Sequence, residues 1–184
     1  MTTLMQSLHT LLRHRWRDES DARRTLPPEA MERLRQRVAA SERRHTGQVR
    51  IAIEAGLPSS YLWRHIRKGV TLRQIVRERG VMLFGKLRVW DTERNNGVLI
   101  YLLLADQAIE LVADRGLNRF VSNADWKAMV ARMGQAFQAG HFEDGLTQAL
   151  EEVSAVLVAH FPRNPAQAVE TDPPNELPDA PVLV

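Results

Sequence analysis

Residues 95–117, NNGVLIYLLLADQAIELVADRGL, decide the fold. Val98 to Ala105 is an unbroken apolar run, too short and too uniformly apolar for a surface helix, and it predicts a strand covered on both faces. Ala105-Asp106 then turns the chain into 107–113, where Ile109, Leu111 and Ala113 alternate with Ala108, Glu110 and Val112. That alternation predicts a second, less buried strand paired antiparallel with the first. A hairpin running up 98–104 and down 107–113 gathers Asn95, Asn96 and Gly97 beside Asp114, Arg115 and Gly116 at its open end. The polar segment ahead of it, Asp91 to Asn96, feeds the central strand.

Working outward, QVRIAIE (48–54) alternates Val49, Ile51 and Ile53 with more polar neighbours and predicts another strand, closed by Gly56 and Pro58. Pro27-Pro28-Glu29 is a helix start, and Met31, Leu34, Val38 and Ser41 carry that helix to about Arg44. Residues 59–70 predict helical turns and loop, and 71–87 return to helical spacing with Gly80 as a weak point. Ser122-Asn-Ala-Asp125 has the form of a helix cap before Trp126, Met129, Val130, Met133 and Phe137. A last helix buries Leu146, Leu150, Val153, Val156 and Leu157. A strand, a helical crossover and a second strand imply a parallel pair. The fold class is therefore α/β, a small mixed β-sheet sandwiched between helices, with an N-terminal amphipathic helix. Three regions follow: 1–28 as helix and linker, 29–161 as the α/β domain, and 162–184 as a disordered, Pro-rich acidic tail.

Composition narrows the function classes. The chain of 184 residues has no cysteine, which excludes disulfides, thiol catalysis and thiolate metal sites. No apolar run approaches the roughly 20 residues of a membrane-spanning helix. The first 20 residues lack the order of a secretion signal, so a cytoplasmic location is expected. The net charge of +3 conceals 20 Lys+Arg against 10 Asp+Glu in residues 1–94, and 5 against 12 in 95–184. No interleaved aromatics or nucleic-acid motif accompany the basic half, so no specific nucleic acid is expected as partner. Residues 3–17 place Leu4, Leu8, Leu11, Leu12 and Trp16 on one helical stripe. Such a stripe packs on its own domain or lies peripherally on a membrane surface. Phosphate-binding loops, dinucleotide fingerprints and the His-Glu-x-x-His zinc motif are absent, and no organic cofactor is expected. Glu42 and His45 have the spacing of a metal pair but read as surface decoration.

The candidate site is the open end of the hairpin. Asp91, Asn96 and Asp114 offer carboxylate and amide oxygens, the donors that a hard cation such as Ca²⁺ or Mg²⁺ takes. Asn-Asn-Gly and Asp-Arg-Gly are equally ordinary turn chemistry, because Asn and Gly accept positive φ. Glu54 and Asp106, at the other end of the sheet, rank second.

RVWDTERNNGVLIYLLLADQAIELVADRGL (88–117), HTGQVRIAIEA (45–55) and FQAGHFEDGLTQALEEV (137–153) together resemble the TPM domain family in order and spacing. The resemblance implies a sheet between helices. It directs attention to Trp90, Asp91, Asn96, Gly97, Asp114 and Gly116. Members include thylakoid-lumen proteins with a reported acid phosphatase activity, calcium binders and an animal receptor modulator. Bacterial relatives often carry a signal peptide and membrane anchor, and neither is expected from these residues. The resemblance thus leaves two functional expectations: a non-enzymatic module binding a protein partner and a divalent cation, or a weak metal-dependent phosphomonoester phosphatase.

Overall fold

The computed structural model describes residues 13–14, 19–163 and 175–184. The expected amphipathic helix over 3–17 lies outside them, apart from Arg13 and His14. The described chain runs α1 (Glu19–Thr25), α2 (Pro28–Glu42), β1 (Gln48–Glu54), α3 (Ser59–Lys68), α4 (Leu72–Lys86), β2 (Gly97–Leu103), β3 (Ala108–Ala113), a 3-10 turn (Arg115–Leu117), α5 (Asn123–Gln138), α6 (Phe142–His160) and β4 (Val182–Leu183).

The sheet order is β3-β2-β1-β4. β1 and β2 are parallel, with Gln48 beside Gly97 and Glu54 beside Leu103. β2 and β3 are antiparallel, with Val98 opposite Ala113. The uniform apolarity of β2 follows from its central place, since all seven of its residues are buried. Alternate residues feed two cores. Val98, Ile100 and Leu102 join Leu34, Val38, Phe137, Leu150 and Val153 from α2, α5 and α6. Leu99, Tyr101 and Leu103 join Leu62, Ile75, Val76 and Leu83 from α3 and α4. The fold is the expected mixed sheet between helical layers.

Local signals explain the helix starts. Pro28 occupies the first turn of α2, where its missing N–H costs nothing. At α5 the Asp125 N–H donates to Ser122 Oγ (3.2 Å) and the Ser122 N–H to Asp125 Oδ2 (3.1 Å), a reciprocal capping box.

Two boundaries differ from expectation. The domain begins before residue 29, because α1 forms in the supposed linker, and its Ala22 and the following Leu26 are buried in the first core. The tail is not disordered over 175–184. Val182 and Leu183 add a parallel strand beside Ala52 and Ile53, and Leu177 is buried. Gln48 Oε1 accepts the N–H groups of Glu176 and Leu177, both at 3.0 Å. Proline richness argues against regular structure inside this segment, but β1 offered an open edge whose backbone groups needed partners. Among the described residues no helix is long and apolar enough to cross a membrane.

Candidate functional site

The open end of the β2–β3 hairpin is knitted by backbone bonds. The Asp114 N–H donates to Gly97 O (2.9 Å), the Gly116 N–H to Asn95 O (3.0 Å), and the Asn95 N–H to Thr92 O (3.1 Å). Asn95 takes a left-handed φ of 51°, as its residue type allows. Approach here is close enough to require glycine. A Cβ on Gly97 would stand 2.0 Å from Val89 O, and one on Gly116 2.3 Å from Asn95 O.

This architecture brings Asn96 and Asp114 to one mouth. Asn96 is fully buried; its N–H donates to Thr92 Oγ1 (3.1 Å) and its Nδ2 reaches Thr46 Oγ1 at 3.4 Å. Asp114, buried at 7% exposure, caps the 3-10 turn by accepting the Arg115 N–H on Oδ1 (2.6 Å). Two oxygens are left over. Asn96 Oδ1 and Asp114 Oδ2 are both buried and find no donor among the described residues, although a buried acceptor without a partner costs about 1–3 kcal/mol.

Asp91 is held differently. Its Oδ2 pairs with Arg88 at 2.6 Å, and both side chains face solvent. Arg88 itself sits at φ 55°, a conformation that a bulky residue seldom adopts and that clusters at functional loops. Trp90 is half exposed between them. The tail also reaches this loop, for Glu176 Oε2 accepts the Glu93 N–H at 2.8 Å. Thr46, Thr92 and Glu176 were not singled out from sequence. Thr92 lay inside the polar segment, whereas Thr46 and Glu176 arrive only through the sheet register.

The opposite end of the sheet is closed by its own ion pairs. Arg79 forks onto Glu54, with Nε to Oε2 at 2.9 Å and NH2 on Oε1, and the Tyr101 hydroxyl donates to the same Oε2 at 2.6 Å. Burial, then the neighbouring Glu54 charge, pushes the Tyr101 phenol far above its ordinary range, so it stays a neutral donor. Asp106 pairs with Arg13. His14 Nε2 stands 3.1 Å from Asp106 Oδ2, within ion-pair reach though off the hydrogen-bond direction. The Leu57 N–H donates to His14 Nδ1 (3.1 Å), so a neutral His14 carries its proton on Nε2, facing Asp106.

Glu42 and His45 are not surface decoration. His45 is fully buried, spanning Ser41 Oγ (3.2 Å) and Gly47 O (3.0 Å). Glu42 Oε1 accepts the Val49 N–H (2.8 Å) at the start of β1. Burial raises the Glu42 carboxyl to about 8 and lowers the His45 imidazole to about 4. Both are tied into the α2–β1 connection rather than turned outward to share an ion.

Comparison with solved structures finds the same architecture elsewhere. The NMR structure of the BA42 protein from the psychrophilic bacterium Bizionia argentinensis matches with a TM-score of 0.67 and 23% identity, over 86% of this chain and 95% of that one. The solution NMR structure of the N-terminal domain of a P. gingivalis protein matches with a TM-score of 0.54 and 17% identity, over 76% and 83%. At these identities the likeness is one of fold. No curated protein matches the chain. Its residues 20–156 match the TPM domain, and with most of its length so covered the chain belongs to the TPM domain family.

Proposed function

We propose that this chain is a non-enzymatic, partner-binding TPM module that takes a divalent cation at the hairpin mouth. The observation that carries the reading is the pair of donorless buried oxygens, Asn96 Oδ1 and Asp114 Oδ2. Uncharged amide and carboxylate oxygens are the ligands that Ca²⁺ and Mg²⁺ select, and water completes their shells. Asp91 is the third ligand. Its present pair with Arg88 is exposed on both sides, and such pairs are worth at most about 1 kcal/mol, so a cation outcompetes it readily. The half-exposed Trp90 on the same loop supports a protein partner, because exposed tryptophans are favoured anchors at interfaces.

The phosphatase reading uses the same oxygens. It also asks for a proton donor or acceptor beside them, and with Asp91 and Asp114 taken up as cation ligands, the other carboxylate that reaches this loop, Glu176, is engaged by the Glu93 N–H. That engagement favours the binding module.

Thermal unfolding in rising Ca²⁺, Mg²⁺ and Mn²⁺, with a phosphomonoester assay alongside, separates the readings. A cation that binds only the folded chain raises the melting point by mass action, and Asp114→Ala abolishes the rise. Turnover lost in Asp114→Ala would replace the module with an enzyme. No response to any cation would remove the metal from both readings.

A further inference from the structure

Among the described residues β3 is the outer strand of the sheet, and a groove of about 440 Å³ runs along it between α4 and α5. Hydrogen-bonded and non-bonded pairs alternate along an antiparallel ladder. The Asp114 N–H to Gly97 O bond fixes the phase, so Leu111 and Ala113 turn their backbone groups outward, away from β2. Arg77 confirms it by donating to Leu111 O at 2.6 Å. Leu111 and Ala113 line the groove with Trp126 and Val130, and Arg73, Arg77 and Lys127 stand around them. Glu110 is the one carboxylate of the lining, and Arg77 pairs with it at 2.9 Å. Arg73 and Lys127 are exposed and have no acidic partner among the described residues.

A charged rim alone is ordinary, and a guarded outer strand is a common protection against edge pairing. Trp126 adds an independent observation. The residue is 8% exposed and its Nε1–H is buried without an acceptor, whereas a buried indole N–H usually finds one. The groove therefore offers donors: an indole N–H, two outward backbone N–H groups, a guanidinium and an ammonium. Of its acceptors, Glu110 Oε1 and Leu111 O are both taken by Arg77.

The geometry points to an oxyanion-binding groove along β3, which takes a small molecule bearing a phosphate or carboxylate group. Trp126 Nε1 and the Leu111 and Ala113 N–H groups bond the oxyanion, and Arg73 and Lys127 supply the charge. The volume suits a ligand of metabolite size. This site is independent of the cation mouth and uses none of its side chains.

The test is a ¹H–¹⁵N NMR titration of the full chain in buffer free of divalent cations. Sodium phosphate and sodium succinate are the probes, with sodium chloride holding the ionic strength constant. The Trp126 indole signal is identified by its loss in Trp126→Phe. The expected result is a saturable shift of that signal and of the Leu111 and Ala113 amides with at least one probe. Saturation by phosphate alone assigns a phosphate ligand, and by succinate alone a carboxylate. The double variant Arg73→Ala/Lys127→Ala, altered only at exposed positions, raises the dissociation constant at least tenfold. A shift that stays linear with both probes overturns the proposal, and so does a saturable shift of equal affinity in the double variant.

Discussion

The burial of Glu42 and His45 makes the stability of this protein depend on pH in a specific way. Burial is the leading cause of both perturbations. Glu42 stands at about 8 when folded against an ordinary 4.5, so the folded chain prefers its proton. Its contribution is fully present below pH 4.5 and is lost as pH rises through 8. At about 1.4 kcal/mol per pH unit, the span from 4.5 to 8 bounds the loss at about 5 kcal/mol. His45 behaves as the mirror image, standing at about 4 against 6.5. Its contribution is fully present above pH 6.5 and is lost as pH falls through 4, bounded at about 3 kcal/mol by the same conversion. Together they place maximum stability near pH 5–6. Urea unfolding from pH 4 to 9 should show a steady decline above pH 6. Glu42→Gln keeps an oxygen for the Val49 N–H while removing the titration. The variant should match the wild type near pH 5 and exceed it by several kcal/mol at pH 8. Parallel decline of the two proteins between pH 5 and 8 would refute the assignment of that slope to Glu42.

Three further outcomes can be checked by the same unfolding measurement. Tyr101→Phe leaves Glu54 its Arg79 fork and should cost about 1–2 kcal/mol, whereas Arg79→Met strands the buried Glu54 charge and should cost about 3–5 kcal/mol; the reverse order would contradict the geometry of the triad. Gly116→Ala drives a Cβ to within 2.3 Å of a backbone oxygen and should cost about 3 kcal/mol, and a neutral result would mean that the loop over 94–95 yields freely. Removal of residues 175–184 uncovers the edge of β1 and exposes the site of Leu177, for an expected loss of about 2 kcal/mol; an unchanged unfolding midpoint would show that β4 adds nothing to the folded state.

Strong local periodicity made most of the scaffold readable. The apolar run 98–105 gave a central strand because a sheet buried on both faces leaves no polar positions. The Ser122–Asp125 cap and Pro27-Pro28 marked helix starts through side chains that act within one turn. Gly80 reads as a weakness of α4, yet a Cβ there would meet Val112 Cγ2 at 3.3 Å and Glu110 Cγ at 3.4 Å. Its absence of a side chain is what lets the helix lie close on the sheet. At the candidate site the sequence correctly gathered Asn95–Gly97 with Asp114–Gly116, since a hairpin's register follows from its turn. It did not foresee that Asp91 would be turned to Arg88, a choice made by the left-handed backbone at Arg88.

The sequence by itself determined the sheet between helices, the parallel β1–β2 pair, the hairpin and the gathering of Asn95–Gly97 with Asp114–Gly116 at its open end. Each of these is encoded in alternation, run length or turn residues over a short stretch. Only the tertiary structure decided which charges are buried and what the tail does. Glu54 is neutralised by Arg79, 25 positions away, and bonded by Tyr101, 47 away. β4 is a strand because β1, about 130 residues earlier, left an unpaired edge. A residue's periodicity is fixed by its neighbours in the chain, whereas its solvation and hydrogen-bond partners are fixed by whatever the fold sets against it.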